Sequence, residues 1–182
     1  MSGPYREEYL AAIAKEYSSL HKHCVFSEPV SLPAGKIAIG TKLVLKRKEA
    51  EHANAARIFK ARLCGKGFAQ QYGIDFHETF APVAAYNWLR ILISLVASLD
   101  FECDCVDVVT AFLLAPLEEE VYIKIPDGYP SQPSDKGKVL RLLKSLYGLK
   151  QAPRAWNQEL DGYLKSLGFK PTESERCIYV EV

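Results

Sequence analysis

The chain has 182 residues, 48% of them hydrophobic and 25% charged, which suits one or two ordered units and excludes disorder along the whole length. The net charge of +1 singles out no class of partner. Trp88 to Leu99, the longest nearly apolar stretch, is interrupted by Arg90 and too short to span a bilayer. The start, MSGPYREEYL, lacks the basic-then-apolar layout of an export signal, so an intracellular, cytoplasmic protein with no membrane partner is expected.

Along the chain, Tyr9, Leu10, Ile13, Tyr17 and Leu20 keep a helical stripe. Pro4 suits its first turn, and Glu7, Glu8, His21, Lys22 and His23 complement the helix dipole. Pro33–Ala34–Gly35 breaks the chain before a predicted strand from Ile37 to Lys46. A polar connection around Glu49 to Asn54 leads to a second strand, Arg57 to Cys64, giving a basic hairpin with Lys60 and Arg62 on one face. Residues 65–85 read as a long connection punctuated by glycine and proline, either functional or hiding elements of its own.

In NWLRILISLVASLD only Arg90, Ser94 and Ser98 interrupt the apolar run, which predicts a helix buried except for one polar stripe. Phe101 to Val108 alternates as a strand, with Phe101, Cys103, Cys105 and Asp107 on one face. After a short helical or turn segment, Val121, Ile123 and Ile125 mark another strand, and DGYPSQPSDKG is a loop. Val139 to Leu143 reads as a strand. Pro153 opens a helix carrying Trp156, Leu160, Tyr163, Leu164 and Leu167 on one face, and Gly168 closes it. Arg176 to Val182 is strand-like, and the fold class is α+β.

Five irregularly spaced cysteines argue against a disulfide framework, and neither Cys103 with Cys105 nor the His21–Cys24 cluster has zinc spacing. Charge is segregated. Lys36 to Tyr72 holds nine Lys/Arg against two acids, Asp100 to Asp135 nine acids against one Lys, and Lys136 to Lys165 seven basic residues against two acidic. Carboxylates holding cations between basic walls holding phosphates give that pattern, and so does ordinary solvated surface.

Two sets of residues carry chemistry. Asp107 sits near the end of a predicted strand, at DVVTAFL, where a carboxylate can reach a cation, and Phe112 could place an aromatic face beside it; a turn residue and a core residue are the plainer readings. In LYGLKQAPRAW, Gly148 permits a close backbone approach, while Lys150, Arg154 and the helix start at Pro153 make a phosphate-facing edge.

Three strings, FKARLCGKGFAQQYGIDFHETFAPVA (59–84), VDVVTAFLLAPLEEEVYIKIPDGY (106–129) and KSLYGLKQAPRAWNQELDGYLKSLGF (144–169), resemble the reverse transcriptase of copia-type LTR retrotransposons in order and spacing. The resemblance extends weakly through IGTKLVLKRK (39–48). It implies a partial right-hand polymerase: an N-terminal helix and lead-in (1–35), a fingers-like region with a β-hairpin (36–100), and an incomplete palm of antiparallel sheet with packed helices (101–182). It also implies that Lys60 and Arg62 face an incoming nucleotide triphosphate. Asp107 and the carbonyl of Val108 would bind metal, Asp107 as the catalytic carboxylate. Phe112 would bar a ribose 2′-hydroxyl, and Gly148, Lys150 and Pro153 would form the template- and nucleotide-contacting turn.

Where such enzymes commonly read D-V-K-T-A-F-L-N-G, this sequence has Val109 and then Leu114–Ala115–Pro116, and Leu43 stands where tryptophan is common. The family's Y-x-D-D turn does not occur in these residues. Asp104 points to the opposite strand face from Asp107 and is no substitute. The resemblance implies Mg²⁺ for the intact enzyme, with weak or no metal binding by this chain alone. RNA or DNA template-primer and a deoxynucleotide are the expected partners, with the missing palm portion supplied by another chain as a further expectation. The expectation for these residues by themselves is therefore a catalytically incomplete, truncated fragment, the alternatives being a non-catalytic nucleic-acid-binding remnant or a non-functional retroelement product.

Overall fold

The computed structural model describes residues 4–48 and 57–181; the predicted connection at 49–54 and Val182 lie outside them. Helix α1 (Arg6–Lys22) carries Glu7 and Glu8 in its first turn and His21 and Lys22 in its last. It starts after Pro4, which lies one turn residue outside it. Strand β1 (Ala38–Ile39) is followed at once by β2 (Thr41–Lys48), so the single predicted strand is two. The chain changes sheets at Gly40, whose carbonyl accepts the Lys66 amide at 2.9 Å.

Strand β3 (Ile58–Gly65) pairs antiparallel with β2, setting Val44 opposite Arg62 and Lys46 opposite Lys60. Helix α2 (Tyr86–Leu99) ends at Asp100 in a left-handed conformation, φ 54°. A four-residue helix α3 (Ala111–Leu114) precedes β4 (Tyr122–Lys124) and β5 (Val139–Arg141). Helix α4 (Ala152–Ser166) has Pro153 in its first turn, and Gly168 follows its end at φ 95°. A hairpin of β6 (Phe169–Pro171) and β7 (Tyr179–Glu181) ends the described chain; β6 was not foreseen.

The core sheet is mixed rather than wholly antiparallel. Its order is β1-β4-β5, with β1 parallel and β5 antiparallel to the central strand. Ile39, Val121, Ile123, Leu140 and Leu142 from this sheet pack with Tyr17 and Leu20 of α1, Leu63 of β3, Leu113 of α3, and Leu146, Leu149 and Ala152. Apolar side chains meeting from the sheet, β3 and three helices give one contiguous core.

Two expectations fail here. Residues 101–108 have no strand partner among the described residues and all eight are exposed. Alternation predicts which face a strand would bury, but a strand exists only where a neighbour completes its hydrogen-bond ladder. Helix α2 forms where expected, yet none of its residues is buried. Ile93 is 58% and Leu99 56% exposed. Its apolar girth specifies a helix that needs cover, and the cover is not among the described residues. Among these residues no helix is long and apolar enough to cross a membrane, the cysteines are free, and no group of three or more His, Cys, Asp or Glu could hold a metal ion.

Candidate functional site

The β2–β3 ribbon sorts its side chains by the twofold period of a strand. Residues facing each other across an antiparallel pair share a face, so Lys42, Lys46, Lys48, Lys60 and Arg62 stand together on one side. The other side carries Leu43, Leu45, Phe59, Ala61 and Leu63 toward α1 and the core. Phe59 lies 5.4 Å from the Tyr5 ring and 5.0 Å from the Tyr9 ring.

A cavity of about 450 Å³ opens between β3, the face of α1 bearing Ala12, Lys15, Glu16 and Ser19, and the segment Asp107–Phe112, with Tyr147 between them. Its size is that of a small-molecule site. Lys60, Arg62, Asp107, Val108 and Phe112, picked from the sequence, all line it. Three cations, Lys15, Lys60 and Arg62, face two carboxylates, Glu16 and Asp107. Such a site suits a polyanion at its cationic wall, and its aromatic rings suit a base or sugar.

Tyr147 joins the walls. The Arg62 guanidinium carbon lies 5.4 Å from its ring centroid, a cation–π arrangement, and Phe112 meets it edge-on at 5.1 Å. The Tyr147 carbonyl accepts the Gly65 amide at 2.7 Å. The next residue, Gly148, has φ 85°, and a side chain there would run into the Gly65 carbonyl oxygen. A side chain on Gly67 would in turn meet the Gly148 carbonyl. The glycines of GKG and YGL thus let two backbones touch at the base of the hairpin.

The acidic wall depends on a strained residue. Thr110 has φ 59°, ψ 35°, a left-handed conformation rare for a β-branched residue. It sits in the turn that leads from Asp107 into α3 and Phe112, and all three line the same cavity.

Lys150 and Pro153 do not line the cavity. The Lys150 ammonium donates to the Gln70 carbonyl at 3.3 Å and lies 4.6 Å over the Phe76 ring. Its amide donates to Gln70 Oε1 at 2.9 Å. Buried Gln70 and Gln151 are bonded to each other at 2.9 Å, and Gln151 donates to the Asp75 carbonyl at 2.8 Å. This turn is held by a polar network, and its link to the cavity is Tyr147.

Sequence reasoning missed Glu16, Thr110 and Tyr147. Tyr147 sits inside a motif already singled out, but Glu16 carries no local signal beyond an acid on a half-buried helix. Its Oε1 accepts the Leu63 amide at 2.9 Å. Burial raises its carboxyl above the ordinary value, while the Leu63 amide and the Arg62 charge pull the other way. As a metal centre the donor set falls short. Asp107 is exposed and shares the cavity with one other carboxylate, across a wall of cations, whereas a pair of catalytic cations needs several anionic ligands.

A family model described as reverse transcriptase (RNA-dependent DNA polymerase) matches residues 26–182. Over 98% of its length the chain is 42% identical to the retrovirus-related Pol polyprotein from transposon TNT 1-94 of Nicotiana tabacum, of which it spans 13%. It is 36% identical, over 81% of its length, to that from transposon RE1 of Arabidopsis thaliana, of which it spans 10%. Over 96% of its length it is 25% identical to the truncated transposon Ty1-A Gag-Pol polyprotein of Saccharomyces cerevisiae, of which it spans 14%. No solved structure matches.

Proposed function

Because the chain belongs to the reverse transcriptase (RNA-dependent DNA polymerase) family of copia-type retrotransposons, we propose that its cavity receives an incoming deoxynucleoside triphosphate during RNA-directed DNA synthesis. The observation carrying this reading is that Lys60 and Arg62 of β3 share one cavity with Asp107, Val108 and Phe112 of a distant segment. Lys60 and Arg62 bind the phosphates through charge-assisted hydrogen bonds. Phe112, braced by Tyr147, closes the space a 2′-hydroxyl would need. In an intact enzyme, Asp107 and the Val108 carbonyl would contribute one corner of a Mg²⁺ site completed by carboxylates outside these residues.

We assign residues 36–100 to a fingers-like region and 101–182 to part of a palm. Gly148 holds Tyr147 in place, and the contact proposed for Lys150 and Pro153 is with the template. Electrostatic positioning is nearly all that a protein supplies to phosphoryl transfer. These 182 residues are therefore expected to bind nucleotide without extending a primer, further carboxylates coming from elsewhere in a longer polyprotein or from another chain.

Titration of the chain with a deoxynucleoside triphosphate tests the reading. Arg62→Ala and Lys60→Ala are each expected to weaken binding by about tenfold or more, the usual effect of losing a hydrogen bond to a charged group. Equal affinity in all three proteins would overturn it.

The five-cation face of the hairpin favours a second reading, a non-catalytic grip on nucleic acid. With about four phosphate contacts, log affinity should fall with log salt at a slope near −3 to −4. Binding indifferent to salt would count against it.

A further inference from the structure

We propose that Glu16 is a positioning residue for the cationic wall: by accepting the Leu63 amide it fixes the peptide that follows Arg62 and so holds Arg62 over Tyr147. The inference rests on the nucleotide reading of the cavity and adds to it a part for α1, which lies outside the residues 26–182 matched by the family model.

The Leu63 amide belongs to the peptide plane whose rotation is the ψ angle of Arg62. β2 flanks β3 on one side only, and on the other the Leu63 amide donates to Glu16 at 2.9 Å. That bond holds the amide end of a plane whose carbonyl end faces β2 opposite Val44, and so contributes to the direction in which the Arg62 side chain leaves the strand. The guanidinium then sits 5.4 Å from the Tyr147 ring centroid, within the cavity that Glu16 also lines.

The helix bearing Glu16 is itself fixed at both ends. Near its start, Arg57 donates to the Tyr5 hydroxyl at 3.0 Å and Phe59 packs on Tyr5 and Tyr9. Near its end, the Tyr17 hydroxyl donates to the Asp127 carbonyl at 2.8 Å and Leu20 is fully buried. Glu16 thus transmits the position of the core to the hairpin. A carboxylate is a costly choice for packing alone, since burying it disfavours its charge; here it gains an amide donor and a neighbouring guanidinium.

The test measures tripolyphosphate affinity and Leu63 amide exchange in the 182-residue chain carrying Glu16→Ala, Glu16→Gln, Arg62→Ala, or both Ala changes. Glu16→Ala is expected to speed exchange and weaken binding by about five- to tenfold, the effect of one lost hydrogen bond. Glu16→Gln keeps an acceptor oxygen and should restore slow exchange; because it also removes a negative charge from the anion site, its affinity should equal or exceed the native value, and Glu16→Ala should fall below Glu16→Gln. Adding Glu16→Ala to Arg62→Ala should cost no further affinity, because one residue acts through the other. Glu16→Met, as long but without an acceptor, repeats the test should Glu16→Ala not fold.

Native affinity in Glu16→Ala, or losses that simply add in the double variant, would overturn the proposal. A chain that binds tripolyphosphate no better than its Arg62→Ala variant would overturn the nucleotide reading instead. Slow Leu63 exchange in that chain would then reduce the Glu16 bond to architecture.

Discussion

Two residues of the site carry unusual backbone with opposite consequences. Thr110 holds φ 59° against its own side chain, a conformation costing about 1–2 kcal/mol for an L-residue. Thr110→Gly is therefore expected to raise thermal stability by up to that amount while weakening nucleotide affinity, because the turn joining Asp107 to Phe112 is no longer confined. Gly148 is the reverse case: Gly148→Ala adds left-handed strain of about 1–3 kcal/mol and a clash with the Gly65 carbonyl. A lower melting temperature and loss of Arg62-dependent binding should accompany it. Urea melts of the two variants decide; shifts of the same sign would refute the account. Gly148 was legible in the sequence, since glycine advertises a close backbone approach. Thr110 was not, because a short helical or turn segment was expected after Val108 but nothing in a β-branched residue marks it as the left-handed position.

Among the elements, the join between α4 and the β6–β7 hairpin depends on one carboxylate. Asp161 accepts from Lys165 at 2.7 Å and from the Tyr179 hydroxyl at 2.8 Å. The Lys165 hydrogen bond, more than that of Tyr179, holds its carboxyl below the ordinary value of 3.8. Burial, then the bond to Asp161, pushes Tyr179 up to about 12. A lowered acid stabilises the fold above its unfolded value, and that stability is lost as pH falls through the folded one. A raised tyrosine stabilises below its unfolded value, and the contribution is lost as pH rises from about 10 to about 12. Amide protection in β7 should accordingly fall at both extremes. Asp161→Asn should blunt the acid limb and Tyr179→Phe the alkaline one, and a hairpin indifferent to either change would exclude this coupling. Local periodicity revealed α1, the β2–β3 hairpin and α4 because their side chains alternate or recur within a few residues. It failed at 101–108, where alternation has no strand to pair with, and at β6, whose three residues are too short to show a period.

Across the whole molecule, apolar surface is unevenly covered. Leu89, Ile91, Leu92, Ile93, Leu95 and Leu99 of α2 are exposed, as are Phe101, Val106 and Val109 beyond it, and apolar surface of this kind drives association. The 182-residue chain is expected to self-associate and to bind an apolar dye, and Ile93→Glu should reduce both in light scattering and fluorescence. A monodisperse native chain without dye binding would exclude this. The same surface shows what one sequence cannot disclose: apolar girth marks α2 as a helix needing cover, without naming the cover. Nor could local pattern foresee that Ala38 pairs with Tyr122, since their intervening chain carries no mark of the meeting. That long-range pairing also orders events during synthesis. Thr41 finds Gly65 soon after both are made, whereas β1 waits for Tyr122 and then for Arg141 to complete its sheet; closing so long a loop is slow. The β2–β3 hairpin is therefore expected to form before the β1-β4-β5 sheet, and pulse-labelled amide exchange during refolding should protect Leu43 and Arg62 ahead of Ile123.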